Sequence, residues 1–584
     1  MADSPKIGVA VFVVAAAALL VVISTLPPAG LFSADSGPKY WQALAFAEGS
    51  GSPRVFEYPA EEVDPDRRQI PAFTAPVGDG LASIYPVLFP LLSAVPIRVA
   101  GDWGTRWVPW LAGVLTAWCV GIAASRVREE NVTGWVAAAA LAATPLAFYS
   151  ATFWEQSLAA LVIIGGFLFV LGSDRDRFGG VGSWIVLGFL LGLGFWIRTE
   201  VVFLAPLLLA PVIFDGLRSG VGRTSAASIA CVAGLALGGL IQFLTLGRWV
   251  PLHVSYHVDS SFHAQPFVAS RVESVVSFIA PNWSCGVAAV LWVVAMTVVL
   301  TGRGSRSRFG LGLGAAAVIS SLWAAFVVPA LRWVEGARPT EAFPFAAPAA
   351  TWILLSALPV VVWGHSRDDR RDHRRILLGL AAVWLPVAIF LSRAIRSFEW
   401  GGRLFIPSAL LLLIVMGSFP IGAQRWRLLR RGTVIVAVVA GLAVQTAGLV
   451  LLRHGTVTHH SINDEVLRFS DPGEPIISDA YLVPLIAERS WFNRRFLYCT
   501  GQAGLTELLA RFRPQDVVRW TYATVLQAPG ERLEPGETVV GSDGQYWLLV
   551  NRLRRSVGSR TVDLRRYRRV PPGSRDGVRQ GDFR

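Results

Sequence analysis

Apolar residues along this chain come in long unbroken runs, not in the alternation of a half-buried strand. The first is GVAVFVVAAAALLVVISTL, residues 8–26. Runs of the same kind follow at 106–124, 133–149, 157–173, 181–197, 200–215, 225–245, 286–301, 309–330, 345–364, 376–393, 404–420 and 433–452. Each approaches the roughly 20 residues that carry a helix across about 30 Å of hydrocarbon. Lipid offers the backbone no hydrogen bonds, so the runs predict helices, about 13 of them. Segment 84–100, IYPVLFPLLSAVPIRVA, is also apolar, but its three prolines predict a helix lying along the outer surface.

The pattern changes after residue 452. PIISDAYLVP, RFLYCT, DVVRWTYATV and YWLLVNRL predict short strands, and LTELLARF predicts a helix between two of them. The expected fold class is therefore an all-α polytopic membrane domain, residues 1–452, with a small α/β domain at 453–550. Within the first part, 27–105 forms a long outer loop with juxtamembrane helices. From 551 to 584 the sequence NRLRRSVGSRTVDLRRYRRVPPGSRDGVRQGDFR predicts a basic tail, disordered or lying on a surface.

Composition agrees with the runs. The 584 residues are 53% apolar and 16% charged, with a mean hydropathy of +0.50, too little polar surface for a soluble chain of this size. The net charge of +13 comes largely from arginine. With the N-terminus inside and 13 spans, the turns SRVREE, SDRDRFGG, LRSGVGR, GRGSRSR, SRDDRRDHRR and QRWRLLRR all fall on one side. Arginine clusters beside spans set topology, so nucleic-acid binding is set aside. The expected location is a multi-pass integral membrane protein, in a cell or inner membrane, with the C-terminal domain extracytoplasmic. The first run has no small-residue cleavage site and reads as a membrane helix, not a signal peptide.

Charged residues inside this apolar background are the candidates for chemistry. In LFSADSGPKYWQALAFAEG, Pro38 suits a first helical turn and Gly49 a helix end. Asp35 or Ser36 can cap that helix; equally, a carboxylate just beyond the first span can act as a general base. Glu155 is the one charge in the turn SATFWEQ, either a cap or a second acid converging with Asp35 on an outer cavity. Arg198 and Glu200 interrupt GLGFWIRTEVVFLAP, as an Arg–Glu pair at a turn or as cavity-facing groups. Arg403 follows a glycine pair in RSFEWGGRLFIPSALLLL, and its planar fork suits phosphate, though an interfacial anchor beside Trp400 explains it too. His253 and His257 stand four residues apart, with His263 nearby. Such a pair can hold a metal, but neither a cysteine nor a defined carboxylate completes a ligand set. There is no CxxC and no nucleotide phosphate loop.

The order of these features resembles the GT-C superfamily of membrane glycosyltransferases, in particular the branch of protein O-mannosyltransferases and lipid A aminoarabinose transferases. The carriers are Asp35 with Tyr40 and Ala43; YPVL at Tyr85 and Pro86, where a second proline is lost; Gly101, Gly104 and Arg106; Glu155; GLGFWIRTE; and GGRLFIP, with Leu404 in place of a tyrosine. Members often carry an acidic pair where this chain has Asp35 then Ser36. The resemblance implies an inverting transferase of the EC 2.4 class working in cell-envelope glycan biosynthesis. The donor would be a polyprenyl-phosphate-linked sugar, and the acceptor a glycan, lipid or protein hydroxyl. Asp35 and Glu155 would be catalytic. Arg403, Arg198, Lys39, Tyr85, Glu200 and His257 would contact substrate, with Arg403 first and Arg198 second at the leaving phosphate. No cofactor is certain, and a divalent metal is left open. The alternative class is a transporter or flippase for an isoprenoid-linked saccharide, which would show inverted repeats; a non-catalytic envelope scaffold leaves the outward acids and arginines without a purpose.

Overall fold

The apolar runs are mainly helical where the computed structural model describes them. Described residues are 5–29, 31–49, 55–128, 130–170, 181–199, 201, 221–249, 252–253, 287, 290–291, 294–295, 305–327, 406–418, 427–499, 501–512, 517–526, 538–540, 546–557 and 560–570. The chain divides into two compact units, Met1–Thr25 with Arg106–Ile241 and His257–Leu452, and Leu26–Thr105 with Gln242–Tyr256 and Arg453–Arg584.

The described residues of the first unit are mainly helical. Its described helices include Pro5–Ser24, Trp107–Arg128, Thr133–Ala143, Gln156–Val170, Val181–Gly194 and Ile406–Ser418. Trp107–Arg128 packs against Thr133–Ala143, Gln156–Val170 and Ile406–Ser418, and Pro5–Ser24 packs on Thr133–Ala143. Lipid tails are as apolar as leucine, so these helices are held by close backbone approach, which small residues permit. A Cβ on Gly134 would strike the backbone of Gly8 and Val9, and one on Gly188 would strike the Ala227 carbonyl. Val13, Val14 and Val21 on the first helix, and Ile229 and Val232 on Val221–Leu246, are exposed, a surface that suits lipid and not water.

Among the described residues four helical stretches are long and apolar enough to cross a membrane: Pro5–Ser24, Leu88–Arg128, Ser225–Leu246 and Arg431–Phe469. The expected spans 345–364 and 376–393 lie wholly outside the described residues, and 200–215 and 286–301 almost wholly so. The expected run 133–149 is two helices, Thr133–Ala143 and Leu146–Ala151. Pro145 forces Thr144 into extended geometry, φ −115° and ψ 165°, and ends the first of them.

The second unit holds a short antiparallel ribbon, β1 (Thr74–Val77) with β2 (Gly80–Ser83), and the helices Ser36–Glu48 and Leu88–Ala100. Its main sheet has six strands: β3 (Ile476–Ser478), β4 (Phe496–Tyr498), β5 (Arg519–Leu526), β6 (Thr538–Val540), β7 (Tyr546–Val557) and β8 (Arg560–Val570). Their order is β4-β3-β5-β8-β7-β6, with β3 parallel to β4 and β5 and the remaining pairs antiparallel. The expected strands and the helix between two of them, Gly501–Arg511, are all present.

Two expectations about domain limits are corrected. The outer loop does not group with the membrane helices: residues 26–105 fall in one compact unit with the C-terminal sheet. Trp41 stacks on Trp491 at 4.3 Å, the Trp41 indole donates to the Glu488 carbonyl (3.1 Å), and the Trp491 indole donates to the Glu57 carbonyl (3.2 Å). A Cβ on Gly37 would collide with the Leu485 carbonyl, so only glycine permits that approach. The second correction concerns the basic tail. Residues 551–557 and 560–570 are not disordered but belong to β7 and β8; residues 571–584 lie outside the described ones.

The tail folds because its arginines meet acids. Arg552 donates through Nε (3.2 Å) and Nη2 (2.8 Å) to Asp563, and Arg565 adds a third bond at 3.0 Å. Arg555 reaches Glu465, and Arg566 reaches Asp471 and Glu474. Burial alone would raise the Asp563 carboxyl, but the two guanidiniums more than offset it and hold it below its ordinary range. A depressed folded-state pKa stabilises above the unfolded value of about 3.9 and is lost as pH falls through the folded value. Asp563→Asn is therefore expected to cost on the order of 2–3 kcal/mol near neutral pH, less than a fully buried pair because Arg552 is half-exposed. Thermal unfolding of the detergent-solubilised chain checks this: the variant's deficit should shrink from pH 7 toward pH 3.

Candidate functional site

The first loop is built around the helix Ser36–Glu48, ended by Gly49 in left-handed geometry (φ 69°). Asp35 occupies the N-cap position, yet its side chain makes no capping hydrogen bond to the helix. The carboxylate is half-buried. One turn on, Lys39 is 1% exposed, and its ammonium sits 4.0 Å from the centre of the Tyr85 ring. A buried ammonium is costly in an apolar setting, and a ring face repays part of that. Tyr85 is itself flanked by Phe73 (6.1 Å) and His253 (5.5 Å). The structure thus brings together Lys39 and Tyr85 of the expected set.

Tyr40, the next residue, donates from its hydroxyl to Asp102 (2.6 Å). Burial, followed by the Asp102 charge, pushes the phenol well above its ordinary range and keeps it a donor. Asp102 also accepts from Arg489 Nε (2.6 Å), and the Nη1 of the same guanidinium donates to Glu48 (3.2 Å). Gln42 accepts from the Ser83 amide (3.2 Å) and fixes the start of the segment leading to Tyr85. Asp102, Arg489 and Gln42 were missed by sequence reasoning. The signal for Asp102 lay in plain view, an acid between Gly101 and Gly104; Arg489 left none.

In the first unit, Glu155 and Arg198 form a buried ion pair, Nη1 to Oε1 at 2.9 Å, with side chains 5% and 9% exposed. Glu155 directly precedes the helix Gln156–Val170 and accepts the Ala159 amide on its main-chain oxygen (2.9 Å). Arg198 lies in the turn after Val181–Gly194, its amide bonded to Gly194 (2.9 Å). That turn is pinned by the Trp196 indole donating to the Leu235 carbonyl (2.9 Å). Sequence reasoning offered Arg198 a neighbouring partner, Glu200; its described partner is Glu155, 43 positions away. Glu200, His257 and Arg403 lie outside the described residues. Among the described residues no three His, Cys, Asp or Glu side chains gather as a metal-binding group. Arg106, expected to lead into the second span, donates to the Ile23 carbonyl (2.7 Å) and closes the C-terminal end of the first helix.

Chemically the two sites differ. Asp35 and Lys39 place a carboxylate and a cation one helical turn apart. Glu155 holds a guanidinium in a fixed orientation, where a fork can still offer donors to an anion.

Residues 86–243 match the family model for dolichyl-phosphate-mannose-protein mannosyltransferase. The chain is similar to ArnT from Cupriavidus metallidurans bound to undecaprenyl phosphate, at 17% identity and a TM-score of 0.40, covering 94% of this chain and 97% of that one. It is also similar to the archaeal oligosaccharyltransferase AglB from Archaeoglobus fulgidus in complex with an inhibitory peptide and a dolichol-phosphate, at 13% identity and a TM-score of 0.43, covering 88% and 69%. No curated protein matches the chain. The family-model match supports a resemblance to the membrane glycosyltransferases of the GT-C superfamily.

Proposed function

We propose that the protein is an integral membrane glycosyltransferase that moves a sugar from a polyprenyl-phosphate donor to an acceptor hydroxyl on the outer face of the membrane, with inversion. The observation that carries this reading is the match over 86–243, which contains both Glu155 and Arg198, the residues found as a buried ion pair. In the proposed reaction the acceptor oxygen forms a bond to the anomeric carbon while the bond from that carbon to the lipid phosphate oxygen breaks. The hydroxyl proton passes to Asp35, and the bonding electrons leave with the phosphate. The developing charge on the phosphate is met by fixed cations, Arg403 first and Arg198 second, with Lys39 available beside Tyr85. A preorganised cation acts where charge develops and costs no reorganisation at the moment of reaction. Glu155 orients Arg198. The C-terminal unit lies outside the membrane, as the one-sided arginine turns suggest.

Transfer of labelled sugar from polyprenyl phosphate in reconstituted vesicles tests the reading. Arg403→Lys is expected to raise KM for the donor about tenfold with a smaller effect on kcat, because a point charge replaces the two-pronged fork. Unchanged donor kinetics would remove Arg403 from the phosphate.

A further inference from the structure

The β7–β8 hairpin carries eight arginines; four meet acids, and of the rest Arg560 and Arg569 each bury a guanidinium nitrogen without a hydrogen-bond partner among the described residues, Arg569 lying over the Trp547 ring. Arg552, Arg555, Arg565 and Arg566 each meet Asp563, Glu465, Asp471 or Glu474. Arg560, at the start of β8 opposite Val557, has no carboxylate among the described residues, and its Nη1 is buried without a hydrogen-bond partner there. The ionisable groups that feel its charge are His459 and Tyr481. His459 is buried and donates through Nδ1 to the Leu31 carbonyl (3.1 Å), four residues before Asp35. The hairpin meets the final turns of the helix Arg427–Phe469, with Arg566 over Phe469 and Arg555 on Glu465, and the charge of Arg560 near its tip acts on His459. Burial works against the Arg560 charge, and no acid in its surroundings offsets it. A half-buried guanidinium without a counter-ion is a standing cost unless something anionic occupies its open side.

We infer that Arg560 is a phosphate-binding residue, taking the phosphoryl group of a polyprenyl phosphate next to the Leu31–Asp35 segment. The inference rests on the reading of the donor as a lipid phosphate, and it adds a cation from the C-terminal sheet to the proposed Arg403, Arg198 and Lys39. A phosphate offers paired oxygens to the fork, which a lone lysine ammonium matches less well.

The test uses the full chain in nanodiscs with three probes: undecaprenyl phosphate, phosphatidylglycerol and inorganic phosphate. Each is titrated against wild type, Arg560→Gln, Arg560→Lys and the control Arg554→Gln, with binding and thermal unfolding read together. The expected result is a rise of tenfold or more in Kd for undecaprenyl phosphate in Arg560→Gln, partial recovery in Arg560→Lys and none of this in Arg554→Gln. Without ligand, Arg560→Gln should melt at or above the wild-type temperature, since it removes an uncompensated charge. Equal weakening toward phosphatidylglycerol would assign the site to bulk lipid headgroups and overturn the donor role; weakening toward inorganic phosphate alone would do the same. A fall in melting temperature with unchanged Kd would make Arg560 structural and overturn the inference. Loss of transfer in Asp35→Asn with Kd unchanged in Arg560→Gln would sink this inference and leave the proposed function standing. Binding through Arg560 without any sugar transfer would do the reverse.

Discussion

Asp35→Asn should abolish most sugar transfer, by about 10²–10⁴ in kcat, while the protein remains folded and still binds its donor. That is the scale for losing a general base, the role proposed for Asp35. The substitution separates two roles that the sequence left open. Asparagine caps a helix as well as aspartate does, so a capping residue would lose little. The side chain of Asp35 makes no capping hydrogen bond to Ser36–Glu48, so no cap is lost with its carboxylate. Asp35→Ser, another good cap, should be equally inactive. Activity retained in both variants, with the donor Kd unchanged, would return Asp35 to the status of a turn residue.

The second large effect concerns Glu155 and Arg198. Removing either alone strands a charge that is less than a tenth exposed, which costs about 3–5 kcal/mol, so single variants report on folding as much as on function. Replacing both together, Glu155→Leu with Arg198→Met, removes the charge without stranding its partner and is commonly neutral or stabilising. The double variant is expected to melt within a few degrees of wild type and to lose at least 10²-fold in transfer, the usual scale for deleting one stabilising group at developing charge. A stable double variant with wild-type turnover would show that the pair serves only to close the turn against the helices around it.

Legibility from sequence tracked the range of the interaction. The helix Ser36–Glu48 could be read at both ends, because Pro38 and Gly49 act through local backbone geometry, and Gly49 does take φ 69°. The strands of the C-terminal sheet were legible from β-branched and aromatic runs bounded by turn residues. The strand character of the basic stretch was not. Arg552 and Arg565 look like a solvated charge run until Asp563 and the residues that neutralise their neighbours, Glu465 and Asp471, are placed beside them. In the site, Glu155 and Arg198 stood out singly, since charge in an apolar background is conspicuous at any distance. Their pairing did not, because a turn residue shows a nearer candidate, Glu200. The joining of the first loop to the C-terminal sheet depends on Trp41 meeting Trp491, and no local pattern announces a contact across 450 positions. Asp102 could be singled out by its place between Gly101 and Gly104, but its role could not, because its partners, Tyr40 and Arg489, lie far to either side of it.

The central claim is tested most directly by following label from a polyprenyl-phosphate sugar into acceptor in vesicles holding only the purified protein. The account expects label to appear in an acceptor with inverted anomeric configuration, with free polyprenyl phosphate released in equal amount, and neither to appear with Asp35→Asn. Movement of intact lipid-linked sugar across the bilayer with no sugar leaving its phosphate would contradict it.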